Sequence, residues 1–198
     1  MEWEDIQVGE IASSLAVESV EIYIKKNLPS IQLSNRAEVL KLIKDAIYYA
    51  NEVVHNKGLE NIELEEMGTT LEVCLVYNNK VFIGHIGDSR IYRIRNKFMR
   101  KLTQDHSYVE SLIKDGTITK EESYNHPKKH MLTKALGCDE VVEPDVFARG
   151  FFKEDIILMC SDGLTNLISE DSIYEIIKEN TEKANEVLVS RSKCKWWI

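Results

Sequence analysis

Apolar positions recur at helical spacing through the first third of the chain, then give way to short runs of strand character. Gly9 to Leu28 sets Ile11, Leu15 and Val20, with Ala12, Ala16 and Ile24, near one helical face, and Pro29 ends the segment. Ser34 is a good N-cap for a second helix running to about His55, whose apolar residues include Val39, Leu40, Ile43, Ala46, Ile47, Ala50 and Val54. Gly58 is its expected stop. From Thr69 the period changes. Thr69 to Tyr77 reads as a strand, Asn78-Asn79 as a turn and Lys80 to Ile86 as the next strand. Arg90 to Ile94 and Phe98 to Leu102 pair around Arg95-Asn96-Lys97, so residues 69–102 predict an antiparallel meander. A helical and loop segment follows from Ser107 to about Lys134. Two more strand-like runs come next, Asp145 to Gly150 and Asp155 to Cys160, and helices near Ser169 to Glu179 and Glu182 to Ser190 close the pattern. Helices, then strands, then helices predict an α+β fold with antiparallel sheets carrying helices on their faces.

Composition narrows the class. The 198 residues suit one domain with a sizeable core, and only 3 prolines and no repeat or linker interrupt it. A net charge of -8 argues against a nucleic-acid backbone or an anionic membrane as main partner and tolerates cationic ligands, metals included. The cysteines, Cys74, Cys138, Cys160 and Cys194, form no Cys-x-x-Cys pair, which argues against a zinc ribbon or thioredoxin-type site and suits a reducing compartment. No apolar stretch approaches the roughly 20 residues that span a bilayer. The acidic start, Met1-Glu2-Trp3-Glu4-Asp5, does not resemble a secretory signal, so a cytoplasmic location is expected.

Two acidic words carry the candidate chemistry, Gly87-Asp88-Ser89-Arg90 and Cys160-Ser161-Asp162-Gly163. Each sets a carboxylate where an apolar, strand-like run ends and the chain turns. A turn aspartate satisfying local donors accounts for either one alone; two on rigid strands can bind a hard divalent cation. Asp88 and Asp162 are therefore the candidate metal ligands. The histidines read as packing or loop residues: His85 within a strand, His106 after Asp105 in a turn, His126 before Pro127, and His130 in the basic Lys128-Lys129-His130 cluster. Ser89 and Ser161 lack the Gly-x-Ser-x-Gly setting of a serine hydrolase.

From Gly68 to about Ile177 the chain resembles the metal-dependent protein phosphatases of the PPM (type 2C) family, in their bacterial serine/threonine form. The matching words occur in order. They are Met67-Gly68-Thr69-Thr70, Gly87-Asp88-Ser89-Arg90-Ile91-Tyr92, Leu102-Thr103-Gln104-Asp105-His106-Ser107, Gly116-Thr117-Ile118-Thr119, Leu132-Thr133-Lys134-Ala135-Leu136-Gly137 and Cys160-Ser161-Asp162-Gly163-Leu164-Thr165. Gly9-Glu10-Ile11-Ala12-Ser13-Ser14 extends the likeness back to the first helix, so it covers about residues 9–190. The resemblance implies a sandwich of two antiparallel sheets flanked by helices (α/β/β/α). It implies two manganese or magnesium ions bridging a water that attacks phosphoserine or phosphothreonine. It also implies Asp162 as a core metal ligand, Asp88 as a ligand of a weaker metal, a flap over 114–130, and phosphoproteins as partners, a serine/threonine kinase or its substrates among them.

The departures are specific. The family's Asp-Gly-x-Gly-Gly-His loop, aligned without gaps, falls on Met1 to Ile6, with Met1 at the aspartate; Glu4 and Asp5 are the nearest substitutes. Its closing Gly-Gly-x-Asp-Asn word has no counterpart after Ala184-Asn185-Glu186-Val187-Leu188-Val189-Ser190. The resemblance therefore implies a chain cut short at both ends, without some terminal strands and with little or no activity. Arg191 to Ile198 reads either as out-of-register sequence or as a peptide covering a sheet edge. The rival function is a catalytically dead, phosphatase-like binding module.

Overall fold

The computed structural model describes residues 3–60, 62–64 and 67–195 (backbone alone at 3–7, 62, 194 and 195). Its element order is α1 (Trp3–Asn27), α2 (Arg36–Glu60), β1 (Leu71–Tyr77), β2 (Lys80–Ile86), β3 (Arg90–Arg95), β4 (Phe98–Lys101), α3 (Tyr108–Lys114), α4 (Lys120–Ser123), β5 (Asp145–Gly150), β6 (Ile156–Cys160), α5 (Asp162–Thr165), α6 (Glu170–Glu179) and α7 (Ala184–Lys195). The α+β expectation, two antiparallel sheets plus helices, holds. The chain folds into two compact units, Met1–Asp88 with Asp105–Lys153, and Ser89–Gln104 with Glu154–Ile198.

The first unit holds a sheet in the order β1-β2-β5, antiparallel throughout. One face meets the helices. Phe82 and Ile86 of β2, Leu71 and Val73 of β1 and Ala148 of β5 join Ile43, Ala46, Ile47 and Ala50 of α2, and Ala12 and Ala16 of α1, in one apolar core. Gly84 makes the close approach possible, because a Cβ there would lie 2.5 Å from Ile47 Cδ1 and 2.6 Å from Ile43 Cγ2. Asn51 of α2 is 2% exposed and reaches out of this core. Its Nδ2 donates to the carbonyls of Asp139 (3.0 Å) and Glu140 (3.1 Å), and its Oδ1 accepts from the Gly137 amide at 2.8 Å. One buried amide thus fixes the loop through Gly137, whose φ of +95° suits glycine.

The sheet's opposite face carries an unusual row. Glu72 of β1, His85 of β2 and Asp145 of β5 are cross-strand partners, so their side chains emerge on one side. His85 Nδ1 lies 2.6 Å from Glu72 Oε1, with both side chains buried. Burial pushes the Glu72 carboxyl up to about 7, opposed by His85 and helped by the Asp105 and Asp88 charges.

The second unit holds the sheet β4-β3-β6, also antiparallel. Ile94, Ile156 and Leu158 pack against Ile173, Ile176 and Ile177 of α6 and Leu188 of α7. Arg95 forks onto Asp155, with Nε to Oδ1 at 2.7 Å and Nη2 to Oδ2 at 2.5 Å, tying the end of β3 to the start of β6. The Tyr92 hydroxyl donates to Glu170 at 2.9 Å and holds the start of α6. Burial raises that phenol's pKa, so it remains a donor.

Several expectations are corrected. The predicted meander over 69–102 is split: β2 pairs with β1 and β5, β3 with β4 and β6, and the chain changes sheets at Gly87-Asp88-Ser89. The first helix extends back from Gly9 to Trp3 and stops at Asn27, where Leu28–Ser30 tightens into a 3-10 turn. Asn35, rather than Ser34, caps α2, its Oδ1 accepting from the Ala37 amide at 3.1 Å. Gly58 lies inside α2; a Cβ there would stand 3.1 Å from the Leu64 carbonyl, so the glycine serves a close approach rather than a stop. Cys74 and Cys160 are half-buried; burial pushes the Cys74 thiol up to about 12. The last helix begins at Ala184 rather than Glu182 and runs to Lys195, while Trp196 and Trp197 lie outside the described residues. No described helix is long and apolar enough to cross a membrane.

Two features of this packing are open to test. Asn51→Ala strips the Gly137 loop of the three hydrogen bonds made by this one buried amide and should cost about 2–4 kcal/mol of unfolding free energy, read from urea titrations. The Glu72 pKa is raised above its unfolded value near 4.5, so the folded state holds the proton more tightly. That contribution to stability is full below about pH 4.5 and is lost as pH rises to about 7. Glu72→Gln should therefore flatten the pH dependence of stability in this window, removing a slope of at most about 1.4 kcal/mol per pH unit.

Candidate metal-bearing site

Asp88 and Asp162 each stand just beyond the end of a strand, as the sequence predicts. β2 ends at Ile86, Gly87 turns with φ +104°, and Asp88 follows, half-buried. The turn fits glycine alone, since a Cβ at Gly87 would lie 2.3 Å from Thr70 Cγ2 and 3.1 Å from the Thr70 Cα. β6 ends at Cys160, Ser161 is the N-cap of α5 in extended backbone, and half-buried Asp162 opens the helix. Its carbonyl accepts from the Asn166 amide at 2.8 Å and its Oδ2 from Asn166 Nδ2 at 3.0 Å, which fixes the carboxylate's rotamer.

The sequence pattern overlooked the surroundings of the Gly87 turn. His106, read there as a packing or loop residue after Asp105 in a turn, is 8% exposed. Its amide donates to the Gly87 carbonyl at 2.7 Å, and its Nδ1 accepts from the Gly87 amide at 3.2 Å. The ring stacks on His85, with centroids 4.6 Å apart and planes 28° apart. Nε2 lies 3.4 Å from Asp145 Oδ2 without hydrogen-bond geometry, and Lys134 Nζ approaches Asp145 Oδ1 at 3.8 Å. Burial, with the His85 and Lys134 charges, pulls the His106 pKa down. Glu72 and Asp145 gave no sequence signal of their own. The alternation of β1 and β5 could have placed them on one face, but only the strand pairing puts them in one row with His85.

His55 and His126 have structural partners. His55 Nδ1 is 3.0 Å from the Gly137 carbonyl, and His126 Nδ1 accepts from the Lys128 amide at 3.1 Å. His126 also leans on Tyr108, whose ring lies 5.4 Å from Lys128 Nζ. Within the first unit an open cleft of about 590 Å³ is lined by Gly68, Thr69, Thr70, His130, Leu132, Thr133, Lys134, Ala135, Cys138 and Asp139. It draws on two of the family-like words and the end of the basic cluster. Among the described residues, no three His, Cys, Asp or Glu side chains gather into a metal-holding group. The side chains of Glu4 and Asp5 lie outside the described residues.

Residues 6–192 match the family described as protein phosphatase 2C. The serine/threonine phosphatase stp of Listeria innocua is 36% identical over 182 residues, covering 90% of this chain and 71% of that protein. Protein phosphatase PhpP of Streptococcus pneumoniae is 33% identical over 181 residues, covering 91% and 71%. Among solved structures, the Mycobacterium tuberculosis serine/threonine phosphatase PstP/Ppp superposes with a TM-score of 0.83 at 29% identity, over 93% of this chain and 76% of that one. A structure of the PstP catalytic domain in complex with two manganese ions gives a TM-score of 0.78 at 27% identity, over 92% and 74%. By a match that takes in all but the ends of the sequence, and by relatives this similar over most of their own length, the chain belongs to the protein phosphatase 2C family.

Proposed function

We propose that this chain is a metal-dependent protein serine/threonine phosphatase of low activity, a single domain that hydrolyses phosphoserine and phosphothreonine in proteins. The observation that carries the reading is the family match over 6–192 with both aspartate words intact, each set just beyond a strand end. The donors fit the metal in kind. Carboxylate oxygens suit manganese and magnesium, and such ions, held by one or two carboxylates, fill their remaining positions with water and substrate phosphate. Asp162 holds the main ion and Asp88 the accessory one. The bound ions supply an activated water and charge neutralisation at the phosphoryl oxygens.

The chain's own residues do the positioning. Asn166 orients the Asp162 carboxylate, and the Gly87 turn sets Asp88. The basic run Lys128-Lys129-His130 in the 114–130 flap draws in the phosphorylated segment. Substrates are phosphoproteins, a serine/threonine kinase or its targets among them, in a cytoplasmic setting. A docking module without turnover is the second reading, favoured by the lack of a three-ligand group among the described residues.

Calorimetric manganese titration, run beside hydrolysis of a phosphothreonine peptide, separates the two. Asp162→Asn should abolish the native protein's low turnover and remove the tighter binding event, whereas Asp88→Asn should weaken a second, looser event. Folded native protein that binds the peptide, but neither binds manganese nor turns over, would establish the docking module instead.

A further inference from the structure

We propose that His106 is the positioning residue for Asp88, clamping the Gly87 peptide so that the carboxylate meets its metal. The inference rests on the reading of Asp88 as a metal ligand. Asp88 follows β2 on a turn whose left-handed φ is not held by the sheet. Both polar groups of Gly87 are instead taken up by one residue, the carbonyl by the His106 amide at 2.7 Å and the amide by His106 Nδ1 at 3.2 Å. Thr70 packs against the third side of the turn.

The ring that makes this clamp is itself fixed. It stacks on His85, His85 is locked to Glu72 at 2.6 Å, and the His106 carbonyl accepts from the Thr133 amide at 2.9 Å. Because Nδ1 accepts, the proton of the neutral ring sits on Nε2, facing the Asp145 carboxylate. A buried ring in this form orients a backbone donor without adding charge beside a cation. A packing role alone would ask only for an aromatic of similar volume. The clamp asks for an acceptor at the Nδ1 position.

Two variants separate these demands. His106→Phe keeps the ring and the stack but has no acceptor; His106→Asn keeps an amide oxygen near the Nδ1 position and loses the ring. The expected result is that His106→Phe speeds hydrogen exchange at the Gly87 amide in metal-free protein and weakens the looser manganese event about tenfold or more. His106→Asn should restore both to within about threefold of native, although it loses more thermal stability. The inference is overturned if the two variants weaken manganese in proportion to their loss of stability. It is also overturned if His106→Phe leaves the Gly87 amide and manganese binding at native values. Asp88→Asn, titrated in parallel, distinguishes the underlying reading: native-like manganese binding by Asp88→Asn removes Asp88 as a ligand, whereas weakened binding there with unchanged His106→Phe removes the clamp alone.

Discussion

Two hydrogen bonds between Gly87 and His106 hold the turn that presents Asp88, the first unit's candidate ligand. At Gly87 the chain leaves one sheet for the other and presents Asp88, and regular structure offers that peptide no partners. A peptide group buried without partners would cost a few kcal/mol. The cost is avoided by placing a histidine, rather than an apolar residue, beneath the turn. Once a histidine is there its own ring needs company, and His85, Glu72 and Asp145 follow from that need. A polar row then lies across a face that also carries fully buried Val81 and Ile83.

Such a row has consequences. Burial drives the Glu72 carboxyl up to about 7 and the His106 imidazole down. Both groups thereby lean toward their uncharged forms, which a poorly solvated face requires. The helical face of the same sheet is apolar and closely packed, down to a glycine that admits Ile43 and Ile47. One sheet thus separates two tasks: the helix-facing side supplies packing, and the polar side holds the turn that bears a candidate ligand. In the second unit the division is similar, with Ile94 and Leu158 on the helices while Asp162 opens α5 beyond the end of β6.

Much of this was legible in the sequence. The periodicity of α1 and α2, the bounds of β2 and β5, and the Asn78-Asn79 and Asn96-Lys97 turns, all with positive φ, follow from local preferences. The two aspartate words were legible because their setting, apolar run then turn, is local as well. What escaped was set by distant partners. The pairing of β2 with β5, across about sixty intervening residues, breaks the expected meander and cannot be read from alternation alone. Gly58 resembled a helix stop because its true constraint, the Leu64 carbonyl, belongs to tertiary packing. Asn35 displaced Ser34 because Glu38 reaches back to accept from both the Gln32 amide and Asn35 Nδ2 at 2.7 Å, while Asn35 Oδ1 accepts from the Ala37 amide, which fixes where α2 begins. The role of His106 was hidden for the same reason, since its partners are Gly87, His85 and Asp145.

The central claim is that this chain hydrolyses phosphoprotein esters through a metal-bound water. The most direct measurement is phosphate release from a phosphothreonine peptide by native protein stripped with a chelator and then supplied with graded manganese. The account predicts no release from the stripped protein and a saturable return of turnover as manganese is added. Release that persists at full chelation, or folded protein that stays inert at saturating manganese, would contradict it.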